Sequence, residues 1–190
     1  MKVWIAAAAS IVLLSSCSSV SPPTPTSTPK LPTSSSPVHT KSPTPVQVTG
    51  VLPDRKRTPG AINPNVTQAN IYSTICVSGW TKTVRPSSNY TTGLKKEQLA
   101  SGYAYKGDIL TKDYEEDHLI SLELGGSPTS EKNLWPEPYN SAHGARIKDR
   151  LENVLNDMVC ASHPTITLKA AQRMIATDWW TASKTLGLVK

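Results

Sequence analysis

The chain has 190 residues, with 20 Lys and Arg against 14 Asp and Glu, for a formal charge of +6. That balance permits an anionic partner without demanding one. The three cysteines include no Cys-x-x-Cys pair, which excludes a paired-cysteine zinc knuckle, and no zinc-peptidase or paired-carboxylate hydrolase pattern appears.

Residues 1–16 have the form of a signal peptide. Met1-Lys2 gives a short positive start, and Val3 to Leu14 is almost wholly apolar. That core is too short for a membrane span, which needs roughly 20 residues. Leu14-Ser15-Ser16-Cys17 follows and resembles the bacterial lipobox, whose cysteine thiol receives a lipid. The expectation is an exported lipoprotein, anchored through Cys17 on the outer face of the cytoplasmic membrane.

Residues 17–50 follow as a linker. Between 18 and 49, eight of 32 residues are Pro and fifteen are Ser or Thr. Such a stretch has almost nothing to bury against its ordering entropy, and its prolines favour an extended stalk. About 140 residues remain, 51–190, enough for one domain. Lys2, Lys30 and Lys41 lie outside it, so it carries 17 basic and 14 acidic side chains. With Cys17 assigned to the lipid, Cys76 and Cys160 form an even pair in an exported domain, and a disulfide is expected.

Within the domain the expected fold class is α+β. A short helix begins near Thr67 and carries Ile71 and Ile75. Trp80 to Arg85 is extended or loop, and Leu94 to Ser101 is a short helix stopped by Gly102. Tyr114 to Leu124 is expected to be extended, turning at Gly125-Gly126. Asn133-Leu134-Trp135 is a second strand, ended by Pro136 and Pro138. From Ala145 to Val159, residues Ile147, Leu151, Val154, Leu155, Met158 and Val159 share one helical face. A last helix starts at Leu168, is capped by Thr167 and runs through Trp179 or Trp180. Trp135 and Trp179 are expected in the core.

The chemistry-bearing residues lie in the middle of this order. Asp117-His118-Leu119-Ile120, the Gly125-Gly126 pair, Asn133-Leu134 and Lys148 on the next helix resemble the HNH, or ββα-metal, nucleases. A longer likeness, from about Pro59 to Trp179, is to exported HNH-like proteins of actinobacteria. It includes Asn133-Leu134-Trp135-Pro136-Glu137 and Lys148-Asp149-Arg150-Leu151-Glu152. The resemblance implies a central ββα-metal motif packed with additional helices. It also implies a metal-dependent endonuclease with little sequence specificity, acting on DNA, with RNA as the alternative, outside the membrane.

By that resemblance His118 is the general base, because neutral imidazole accepts a proton near neutral pH. Asp117, facing the other way on extended backbone, holds one divalent cation. Magnesium is favoured, with zinc, manganese or nickel as alternatives. Asn133 orients the loop that carries the histidine. The third metal position falls on His143 or Asn140, and spacing leaves both open. Lys148, Arg146 and Arg150 are candidates for phosphate contacts, against the reading of a solvated charged face with Asp149 and Glu152. Glu115, Glu116 and Glu123 are expected to be solvated or locally paired. The competing function is a catalytically inactive, lipid-anchored surface module that binds a polyanion or an envelope partner.

Overall fold

In the computed structural model, which describes residues 52–141 and 144–189, two strands pair antiparallel: β1 (Tyr114–His118) and β2 (Leu134–Pro138). The register sets Asp117 opposite Trp135 and His118 opposite Leu134. Four α-helices accompany them: α1 (Trp80–Val84), α2 (Ser88–Gln98), α3 (Ala145–Cys160) and α4 (Leu168–Thr185). The fold is α+β. The leader, Cys17 and the linker lie outside the described residues, and so does His143. Among the described residues no helix is long and apolar enough to cross a membrane.

The core lies between α3, α4 and the strand pair. Along α3, Leu151, Leu155 and Val159 recur every fourth residue and are fully buried. They share one core cluster with Leu168, Ala171, Ile175 and Trp179 of α4. Trp135 and Trp179 are both 0% exposed, as expected of core residues. Thr167 caps α4, its hydroxyl accepting from the Ala170 N–H at 3.2 Å. At the other end of α3, Cys160 is bonded to Cys76. That bridge closes a loop with a sequence separation of 84. By the chain-entropy model such a loop is worth about 4 kcal/mol. Replacing both cysteines by alanine is therefore expected to lower unfolding stability by a comparable amount. A denaturant midpoint equal in the two proteins would contradict this.

The helix expected over 94–101 begins earlier, at Ser88, and ends at Gln98, and the local order departs from expectation in three further places. The first strand stops at His118 instead of running to Leu124. After a last bond from the Leu119 N–H the backbone leaves the ladder, and Leu122–Leu124 form a 3₁₀ turn closed by Gly125 at φ +70°. The cause is Asn133, whose side-chain amide takes both the N–H and the C=O of Ile120. With those groups satisfied, the backbone needs no strand partner there. The second difference is that β2 includes Pro136 and Pro138. The N–H of Leu119 is bonded to the Asn133 carbonyl, while the Leu134 carbonyl faces Gln98 on the other side. Alternate residues turn to alternate sides, so both prolines place their missing N–H away from β1. Third, Trp80–Val84 is helical, opened by Gly79 in the left-handed region at φ +80°.

Candidate active site

The pleat of β1 divides its acidic run between two faces. Glu116 and His118 lie on one, Glu115 and Asp117 on the other. His118 is 5% exposed and its Nε2 lies 2.9 Å from the Pro128 carbonyl. A carbonyl only accepts, so Nε2 carries the proton and the neutral ring keeps a bare lone pair on Nδ1. Burial is the main cause that lowers the His118 pKa from its ordinary value, outweighing the Pro128 bond and the nearby Asp117. Near pH 7 the ring is therefore uncharged, the form a general base needs.

Asn133 fixes the loop that holds this histidine. It is fully buried. Its Oδ1 accepts from the N–H of Ile120 at 2.9 Å and of Ala61 at 3.3 Å. Its Nδ2 donates to the carbonyls of Ile120 and Ser127, both at 3.0 Å. The loop therefore returns Pro128 to His118 through one side chain. Gly126 makes the fit possible, since a methyl group there would strike the Ile120 carbonyl.

His118 borders a cleft of about 250 Å³. Arg85, Lys95, Glu115, Glu116 and Tyr139 line it with the histidine. The two cations come from the segment 85–95, which no short motif links to the histidine. Lys95 reaches the Tyr114 carbonyl at 2.7 Å and so is fixed against the edge of β1. Glu115 and Glu116 were expected in solvent or local pairs, yet both are partly buried here. Neither oxygen of Glu116 has a hydrogen-bond partner. Burial, then Asp117, pushes the Glu116 pKa from 4.5 up to about 8.

This has a consequence for stability. A carboxyl whose folded pKa is raised stabilises the fold fully below its unfolded value and loses that contribution as pH rises through the folded one. The Glu116 contribution is thus present below 4.5 and is lost by about pH 8. Glu116→Gln, which cannot ionise, is expected to flatten the decline of unfolding free energy across that window. Denaturant curves at several pH values measure it, and an unchanged slope would contradict the assignment.

On the opposite face Asp117 meets Lys148 of α3. Lys148 is 0% exposed. Its Nζ lies 2.7 Å from Asp117 Oδ2, donates to the His118 carbonyl at 2.8 Å and pairs with Glu152. Burial alone would lower the Lys148 pKa, but Asp117, Glu152 and Glu137 outweigh it and hold the ammonium charged. Lys148 is therefore not a surface contact for phosphate, because its three donors are committed inside the fold. Arg146 and Arg150 are exposed at the start of α3. Glu137 on β2, 1% exposed, faces the same group of charges and is pushed far up by burial and by Asp117. Its place between two prolines gave no sequence signal of this.

The divalent cation implied by the resemblance can be tested against these donors. One buried ammonium, that of Lys148, faces Asp117, Glu137 and Glu152, and Glu137, pushed far up by burial and by Asp117, keeps its proton and adds no charge. Glu115 is raised by burial and then by its like-charged neighbours Asp117 and Asp149. A hard cation takes oxygen ligands, and the carboxyl donors on this face of β1 fit one in type. Asp117 and Glu115, two residues apart on one face of β1, would be the donors from that strand, with Asp117 Oδ2 already paired with Lys148. Asn140 lies exposed beyond β2. Among the described residues no three His, Cys, Asp or Glu side chains form a ready metal cage.

Comparison with protein-family models, with curated proteins and with solved structures returned no match.

Proposed function

We propose that this domain is a metal-dependent endonuclease of the HNH, or ββα-metal, type that hydrolyses phosphodiester bonds. The observation that carries the reading is the setting of His118: a buried, neutral imidazole with Nε2 bound to Pro128, in a loop pinned by Asn133, at the edge of a cleft with two cations. The order β1, loop, β2, α3 supports it, since that is the order the motif requires.

In this reading a water enters the cleft and attacks phosphorus as the P–O bond to the leaving sugar oxygen breaks, and that oxygen departs with a proton taken from solvent. The Nδ1 lone pair of His118 takes the attacking water's proton. The Nε2–H bond to Pro128 keeps the tautomer and the ring plane fixed while the charge develops. Arg85 and Lys95 attract the phosphate and favour its added negative charge. Asn133 acts through the loop and is a positioning residue. A divalent cation, held by Asp117 and Glu115, would stabilise charge on the phosphoryl and leaving oxygens. Arg146 and Arg150, exposed at the start of α3, would extend contact along the polymer.

The same reading places the enzyme outside the cytoplasmic membrane, held by a lipid on Cys17. The leader, the lipobox and the Cys76–Cys160 bridge support it, because oxidising compartments are where such bridges persist. The test is incubation of the protein with plasmid DNA and with RNA, adding magnesium, manganese or zinc, with and without chelator. Metal-dependent cleavage is expected. No cleavage with any metal would favour a surface module that binds a polyanion or an envelope partner without turnover.

A further inference from the structure

A second concave surface of the domain lies away from His118. It is a groove of about 760 Å³ between the segment 59–68 and one side of α4. Its floor is Gly60, Ile120 and Ala176. Gly60 sits in the left-handed region at φ +90°, and a methyl group there would come within 3.1 Å of Ile120 and 3.3 Å of Ala176. One wall is Ile62, a large aliphatic side chain left 52% exposed, with Val66 behind it. Lys169, Gln172, Arg173 and Ala176 face it at spacings of three, one and three along α4, a single helical stripe. Gln172 is itself tied back to the Leu124 carbonyl at 2.9 Å, which fixes that wall.

The charge on this groove has one sign. Arg55, Lys169 and Arg173 line it, and among the described residues no Asp or Glu does. Arg55 is held to the Thr177 carbonyl and lies near Asp178. Lys169 and Arg173, one helical turn apart, remain exposed at the rim. An apolar trough with cations at its edge is complementary to a molecule with an apolar chain and an anionic head. The linker of this chain is a poor complement. Its charged residues are Lys30 and Lys41, and all 14 acids lie beyond it.

We infer that the groove between residues 59–68 and α4 is a binding site for an anionic amphiphile, with the chain along Ile62, Ile120 and Ala176 and the head on Lys169 and Arg173. The inference is independent of the nuclease reading. For a domain expected beside a membrane, it gives a second, reversible contact with lipid-like molecules.

The test is calorimetric titration of the full chain with dodecyl phosphate below its micelle concentration. Inorganic phosphate and dodecyltrimethylammonium serve as the comparisons. Saturable binding of dodecyl phosphate at one site is expected, with no saturation by either comparison. Lys169→Glu with Arg173→Glu is expected to weaken it by about tenfold or more. Ile62→Asp, at a half-exposed position, should weaken it similarly without disturbing the fold, as circular dichroism would verify. Saturation by phosphate alone, equal binding of the cationic amphiphile, or affinity unchanged in both variants would overturn the inference. Absence of any binding would overturn it too, including the case in which the chain's own apolar leader or a second copy fills the groove.

Discussion

Lys148→Met is expected to destabilise the domain by about 3–5 kcal/mol, the usual cost of leaving a buried charge without its partner. Lys148 is fully buried and is the one ammonium shared by Asp117 and Glu152. Methionine fills similar volume, so the effect would come from charge and not from a cavity. Two carboxylates would be left facing each other, with Glu137 close by and already pushed up by burial and by Asp117. The His118 carbonyl would also lose its donor, which loosens the end of β1. Guanidinium unfolding measures the change. A midpoint within error of the parent would refute the account. The triple variant Lys148→Met, Asp117→Asn, Glu152→Gln should recover much of the loss, because the uncompensated charge is then gone. A cavity or a packing defect would not be rescued that way.

The pH dependence of the parent follows from the same cluster. Burial, partly offset by Lys148, raises the Glu152 carboxyl from 4.5 to about 7. Its contribution is present below 4.5 and declines as pH rises through 7. The same sign holds for Glu116, which continues the decline toward about pH 8. His118 has the opposite sign. Its lowered pKa means the fold favours the neutral ring, so its contribution is present above 6.5 and lost as pH falls.

Which of these features a sequence can reveal is a question of distance along the chain. The helices at 145–160 and 168–185 are legible because apolar residues recur at helical spacing, and Thr167 marks a start by a local bond. The opposition of Asp117 and His118 is legible because β1 alternates by two. The end of β1 is not, because it depends on Asn133, 13 residues away from the Ile120 backbone it bonds. Lys148 resembles a surface cation in sequence, amid Arg146, Asp149 and Arg150. Only the approach of α3 to β1 shows that it is enclosed. Glu137 between two prolines has the signature of a loop. It becomes a buried acid because both prolines turn their missing N–H outward, so the strand persists through them. Lys95 joins the site through the placing of α2 beside β1, and Arg85 from the end of α1, for which no short motif exists.

His118→Gln is expected to reduce cleavage by about 10²–10⁴-fold, the usual contribution of a general base. Glutamine is chosen because its amide N–H can still donate to Pro128, so the loop keeps its anchor while the proton acceptor is lost. The melting temperature should then stay near that of the parent, and His118→Ala should be the less stable of the two, since it leaves the Pro128 carbonyl without its donor. Activity in the parent should fall only below pH 6.5, since burial keeps the imidazole neutral at and above that value. Asn133→Ala acts differently. It removes four hydrogen bonds from a fully buried side chain, so stability and rate should fall together. The acid limb of its residual activity should shift upward toward 6.5 as His118 gains solvent. If His118→Gln retains full cleavage, the base is another group. Glu116 shares the cleft but holds its proton to about pH 8, so cleavage that depended on it as base would rise with pH toward that value. The separation of effects decides between roles: a base lost without a loop lost in one variant, and a loop lost with its base still present in the other.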